Sequence, residues 1–66
     1  MSFNIGQHYK IIININNVTL TYSCKVISED EYFFTILDKF GKEYTFNKKL
    51  VIQIEKIDGG KFDVSE

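Results

Sequence analysis

The 66-residue chain has no proline and no arginine, one cysteine (Cys24), one histidine (His8), and no apolar run of the roughly 18 residues that a membrane helix requires. Each shortage closes off a class of protein. A single thiol forbids an intrachain disulfide, and one Cys with one His cannot make a four-ligand Cys/His zinc site. The N-terminal "MSFNIGQHYK" lacks the basic start and apolar centre of a signal peptide, and the lone thiol suits a reducing compartment, so the expectation is a cytoplasmic protein with no membrane contact. Without proline, nothing in the chain forbids long, regularly paired strands. Without arginine, any polyanion site has to be built from clustered lysines.

A domain of this size buries only about 60% of the surface that its unfolded chain exposes. With disulfides and metal excluded, assembly with other copies is the expected reinforcement. The net charge is −1, and it is unevenly spread. Residues 1–57 hold seven lysines against six acids, while "DGGKFDVSE", residues 58–66, holds one lysine against three acids. The expected organisation is one domain over residues 1–57 followed by an acidic, flexible tail over 58–66.

What the chain does have is a period of two. Tyr9, Ile11, Ile13 and Ile15 alternate with Lys10, Ile12, Asn14 and Asn16, the pattern of a half-buried strand. Asn16-Asn17 predicts a hairpin turn, since asparagine tolerates positive φ better than other non-glycine residues. The next alternation is the longest: Val18, Leu20, Tyr22, Cys24 and Val26 on one face, Thr19, Thr21, Ser23 and Lys25 on the other. A strand of about ten residues spans roughly 33 Å and is expected to bend, serving two halves of a curled sheet. "SEDE" (28–31) reads as a turn, "YFFTIL" (32–37) as a third strand and "DKFG" (38–41) as a loop with Gly41 in a left-handed position. "KEYTFN" reads as a fourth strand with Tyr44 and Phe46 inward, and "LVIQIEKI" as a fifth. Residues 2–8 have room for a single helical turn at most. Five short antiparallel strands with tight hairpins predict an all-β fold, a small, strongly bent barrel of SH3-like or Sm-like type ahead of an OB-fold.

Catalysis finds no support. Cys24 falls on the inward face of a strand, where a thiol is inert, and His8 reads as an exposed flank residue. The triplet Glu29-Asp30-Glu31 reads as acids solvating a turn rather than as an acid/base pair, which needs a shielded cleft. No enzyme, cofactor, metal or small-molecule substrate is expected.

The aromatic load carries more information. Six Phe and four Tyr include the run Tyr32-Phe33-Phe34, which puts rings on both faces of one strand. Ile12, Ile27, Phe33, Leu37, Val51 and Ile57 add further outward apolar side chains. Such a surface has three destinations: burial against a neighbouring subunit, stacking on nucleic-acid bases, or an extended core. The polar knot Asn47-Lys48-Lys49 interrupts the apolar run "TFNKKLVIQI" where the fourth strand must turn into the fifth.

In this order the residues resemble the Sm-like family, which includes the LSm proteins and bacterial Hfq. "IININNVTLTY" and "EDEYFFTIL" are similar to the two parts of the family's first motif, and "FNKKLVIQI" resembles its second, a basic turn followed by spaced apolar positions at Val51 and Ile54. The family's glycine at the bend of the long second strand is absent, with Tyr22 or a neighbour in its place. The resemblance implies a homo-oligomeric ring of about five to seven copies, in which the fourth strand of one copy pairs with the fifth of the next. It implies interface residues Tyr44, Phe46, Val51, Ile52 and Ile54. It further implies single-stranded RNA as the partner: Lys48 and Lys49 for phosphates, Asn47 for base or sugar, Tyr32 or Phe33 for stacking, with Asp30 in the same loop. The alternatives are an SH3-like protein-interaction module and a small duplex-DNA-binding barrel, the latter without the usual basic excess.

Overall fold

A computed structural model of the chain describes residues 2–57, so the expected acidic tail, 58–66, lies outside the described residues. Five antiparallel strands form one sheet: β1 (His8–Ile15), β2 (Val18–Glu29), β3 (Phe33–Asp38), β4 (Glu43–Asn47) and β5 (Val51–Lys56), in the order β4-β3-β2-β1-β5. A single 3-10 turn, Lys48–Leu50, links β4 to β5, and there is no α-helix among the described residues. The fold is all-β and five-stranded, as the alternation predicts. The sheet curls but does not close: β4 and β5 are its two outer strands.

The turns form where the sequence places them. Asn16 and Asn17 adopt φ of 52° and 66°, the positive pair that a two-residue hairpin demands. Gly41 has φ 83°. The Asp38 carboxylate Oδ1 accepts the N–H groups of Phe40 and Lys42, both at 2.9 Å, and so ties the β3–β4 loop to its own first residue.

The core consists of Tyr9, Ile11 and Ile13 from β1, Cys24 and Val26 from β2, Phe34 and Ile36 from β3, and Phe3. Burial of each such aliphatic side chain is worth about 1.5–3 kcal/mol. Tyr44 and Phe46 of β4, Val51 and Ile54 of β5, and Leu50 pack against it while keeping part of their surface in solvent. Burial pushes the Cys24 thiol up to about 12, with Asp38 nearby adding to the shift, so it is an inert core residue as expected.

Two bulges depart from simple alternation, and each accounts for a correction. In β2, Val26 pairs with Ile36 and Ser28 with Thr35, leaving Ile27 as the extra residue. One inserted residue reverses which face the following side chains occupy. Glu29 therefore sits opposite Phe34 on the inner face, and "SEDE" is not wholly a turn, since β2 runs through Glu29. In β5, Ile13 pairs with Val51 and Ile12 with Gln53, so Ile52 is the extra residue. Val51 and Ile54, an odd number of positions apart, can then both face the core. Val51 is thus packed inward rather than outward, and Leu50 belongs to the 3-10 turn rather than to the fifth strand.

Residues 2–7 form a strap, not a helical turn. The Gly6 N–H donates to the Val26 carbonyl (2.8 Å) and the Val26 N–H to the Gln7 carbonyl (3.2 Å), which extends the β1–β2 ladder by one step. Phe3 then lies edge-on to Tyr9, centroids 5.3 Å apart, and 4.9 Å from the Phe34 ring. The Asn4 N–H donates to the Tyr9 hydroxyl at 2.9 Å.

The ladders also define which backbone groups point off the edges. Asp38 N–H to Lys42 carbonyl (2.9 Å) and Lys48 N–H to Tyr32 carbonyl (2.8 Å) bracket β3–β4. Hydrogen-bonded pairs fall at every second residue between them, so Thr45 turns its N–H and C=O outward. In the same way Ile54 and Lys56 face off β5, given the bond from Ile57 N–H to the His8 carbonyl (3.0 Å).

Candidate nucleic-acid interface

The six residues expected to meet RNA do converge. The turn after β2, the start of β3 and the 3-10 turn lie together at one end of the sheet, joined by the Lys48 N–H to Tyr32 carbonyl bond. Phe33 pairs with Asn47 across β3–β4. Tyr32 is 62% exposed and Phe33 44%, so each offers a ring to solvent.

The polar members are already employed. The Asp30 Oδ1 accepts the N–H groups of Phe33 (2.8 Å) and Tyr32 (2.9 Å), which holds its carboxyl below the usual range and the turn in shape. Its role is local, and its charge opposes a phosphate. The Asn47 Oδ1 accepts the Lys49 N–H at 2.9 Å, capping the 3-10 turn, so a ligand contact from Asn47 has to come through its amide nitrogen.

Lys48 is bound most closely. Its Nζ lies 2.6 Å from the Glu29 Oε2, with both side chains about 15% exposed. The second Glu29 oxygen, Oε1, accepts the Phe3 N–H at 2.8 Å. Oε2 has no solvent contact, and the Lys48 ammonium is what balances its charge. Hydrogen bonds from Lys48 and then from Phe3 hold the Glu29 carboxyl below the usual range. One carboxylate therefore ties the N-terminal strap, the end of β2 and the β4–β5 turn together. By composition Glu29 belongs to a solvated acidic turn; the bulge at Ile27 is what carries it inward. Lys49, by contrast, is exposed.

The expected interface residues divide by face. Tyr44 and Phe46 stack, centroids 6.1 Å apart at 15°, and Tyr22 meets them at 5.6 and 5.4 Å. With Val51 and Ile54 they pack against the core, whereas Ile52, on its bulge, is 57% exposed.

Three residues escaped sequence reasoning: Phe3, which sits in no periodic segment; Glu29, whose face depends on the bulge; and Phe40. Phe40 is 79% exposed on the β3–β4 loop with the Lys39 ammonium 5.5 Å from its ring, and it borders a groove of about 280 Å³ that Thr21, Tyr22 and Ser23 also line. The loop composition gave it no signal. No cluster of three metal-ligating side chains occurs among the described residues, and no helix there is long and apolar enough to cross a membrane. No protein-family model, curated protein or solved structure gives a significant match to the chain.

Proposed function

We propose that this chain is a non-enzymatic binding module of the Sm-like type, which assembles into a homo-oligomeric ring through β4 and β5 and engages single-stranded RNA at the 3-10 turn. The observation that carries this reading is the strand order. It leaves β4 and β5 as the two outer strands of one curled sheet, with the turn bearing Lys48 and Lys49 between them. Glu43 on β4 and Lys56 on β5 supply opposite charges for a β4 edge meeting the β5 edge of another copy. Each copy then adds one exposed Lys49, one Tyr32 ring and one Phe33 ring to the same rim. Repetition is essential, because a single copy has Glu29, Asp30 and Glu31 against Lys48 and Lys49 there.

Light-scattering mass of the wild type, of Thr45→Pro, and a titration of labelled oligo-U at two salt concentrations test it. Proline at 45 removes an outward N–H and leaves the β3 ladder intact. The expected result is a ring mass that Thr45→Pro abolishes, with RNA binding lost alongside it and weakened by Lys49→Ala. A wild type that remains monomeric, or one that assembles and binds no RNA at low salt, overturns the reading.

A second reading, an SH3-like module that binds a protein partner, is favoured by the local excess of acid and by the commitment of Lys48 to Glu29. It predicts a monomer whose exposed rings, Tyr32 and Phe33, bind peptide and ignore RNA.

A further inference from the structure

β2 is twice as long as β3, 12 residues against 6, and the excess lies at its N-terminal end. The β2–β3 pairing starts at Cys24 with Asp38 as its partner, so residues 18–23 pair with β1 on one side only. The two-residue turn closing Ile15 with Val18, and the Val26 N–H to Gln7 carbonyl bond at the other end, set the alternation along this ladder. Val18, Leu20 and Tyr22 bond to β1, and Thr19 and Thr21 turn their N–H and C=O groups away from it.

This edge differs from the other two. β4 carries Glu43 and leads into Lys48 and Lys49, and β5 carries Glu55, Lys56 and a bulge at Ile52. Charges and bulges of this kind restrict which strand can add to an edge. Residues 18–23 contain no charge, no proline, no glycine and no bulge, and no charged residue occurs from Ile11 to Cys24. Val18 and Leu20, on the inward-facing side of the strand, are nonetheless exposed. A regular, uncharged, β-prone free edge is a template for another strand.

We propose that this edge pairs with itself, joining two copies of the chain antiparallel about a two-fold axis at Leu20. An antiparallel contact between identical strands is isologous, so every pair occurs twice. Thr19 faces the partner's Thr21 and exchanges both backbone hydrogen bonds with it, as does Thr21 with Thr19, four bonds in all. Leu20 meets Leu20 in a non-hydrogen-bonded pair, and Val18 meets Tyr22 on the same face. A second copy suits the edge because the stretch has no charge to repel its own image and because its exposed apolar side chains are brought against one another. The contact uses neither β4 nor β5, so it is independent of the ring.

The test is Leu20→Cys in the full chain. Non-hydrogen-bonded antiparallel partners have Cα atoms about 4.5 Å apart, within the span that a disulfide bridges. Buried Cys24 does not compete. Under mild oxidation Leu20→Cys should form a disulfide-linked dimer at least about tenfold faster than Ile5→Cys, an exposed position on the strap, because the pairing raises the effective thiol concentration. It should do so equally in a Thr45→Pro background, where ring pairing is removed. Leu20→Lys sets two ammonium groups against each other across the axis, and should halve the mass of the assembly while its circular dichroism remains that of the wild type. Cross-linking no faster than at Ile5, or an unchanged mass for folded Leu20→Lys, overturns the proposal. So does a monomeric wild type that instead takes up an uncharged, threonine- and valine-rich extended peptide along this edge.

Discussion

The two halves of β2 have the same sequence pattern and opposite fates. In the C-terminal half, Cys24 and Val26 have no exposed surface; in the N-terminal half, Val18 and Leu20 on the same face are 54% and 37% exposed. The difference is neighbours: Cys24 and Lys25 lie between β1 and β3, Val26 lies between β3 and Gln7 of the strap, and residues 18–23 have β1 alone as a strand partner. Alternation specifies which side chains share a face. It leaves open whether anything covers that face.

The strongest way to break this comparison is to cut side chains in each half. Phe34→Ala, opposite Glu29 and under the Phe3 and Phe46 rings, should cost about 3–5 kcal/mol. Ile13→Ala should cost about 2–5 kcal/mol. Against a total stability of about 5–15 kcal/mol, either is expected to leave much of the protein unfolded at room temperature. Leu20 is the cross-strand partner of Ile13, yet Leu20→Ala should cost less than about 1 kcal/mol at concentrations where the chain is monomeric. Urea denaturation of the three variants checks the ordering. Equal losses at 13 and 20 would show that the projecting half is covered in the monomer.

That comparison also marks where the sequence stops being legible. Five strands, the Asn16-Asn17 turn, Gly41 and the inward Tyr44 and Phe46 follow from local rules, since each is settled by a residue and its immediate neighbours. The bulges do not, because an extra residue at Ile27 or Ile52 is fixed by the pairing strand. Alternation breaks across a bulge, which is why Glu29, just beyond Ile27, and Val51, just before Ile52, differ from expectation. The candidate site was legible as a cluster, with its six residues at one end, but not as a set of bonds. That Lys48 is held by Glu29 depends on a flip that no local pattern records.

A smaller effect probes that bond. The Glu29 carboxyl titrates below its ordinary value, so it contributes stability that is fully present above the unfolded-state value of about 4.3 and is lost as pH falls through the folded-state value. The wild type should therefore lose more stability than Glu29→Gln does as the pH is lowered from 6 to about 3. Thermal melts of the two proteins across that interval check this, and parallel curves would remove the Glu29–Lys48–Phe3 junction as a determinant of acid stability.

A backbone effect falls at the tip of the projecting half. Asn16→Val forces a β-branched residue into φ 52° and should cost about 1–2 kcal/mol. Because the tip is otherwise exposed, the loss should appear without a change in the denaturant slope.

Phe3 adds a consequence in time rather than in space. It is synthesised before both of its partners, and its resting place, against Phe34 with its N–H on Glu29, does not exist until residue 34 has followed it out of the ribosome. During that interval the open end of the nascent sheet has no plug, and the ring itself is in water. Order of synthesis and order of placement run in opposite directions for this segment. The strap is then a closing step that the rest of the domain has to precede, and in the finished protein it is expected to be the first part to let go.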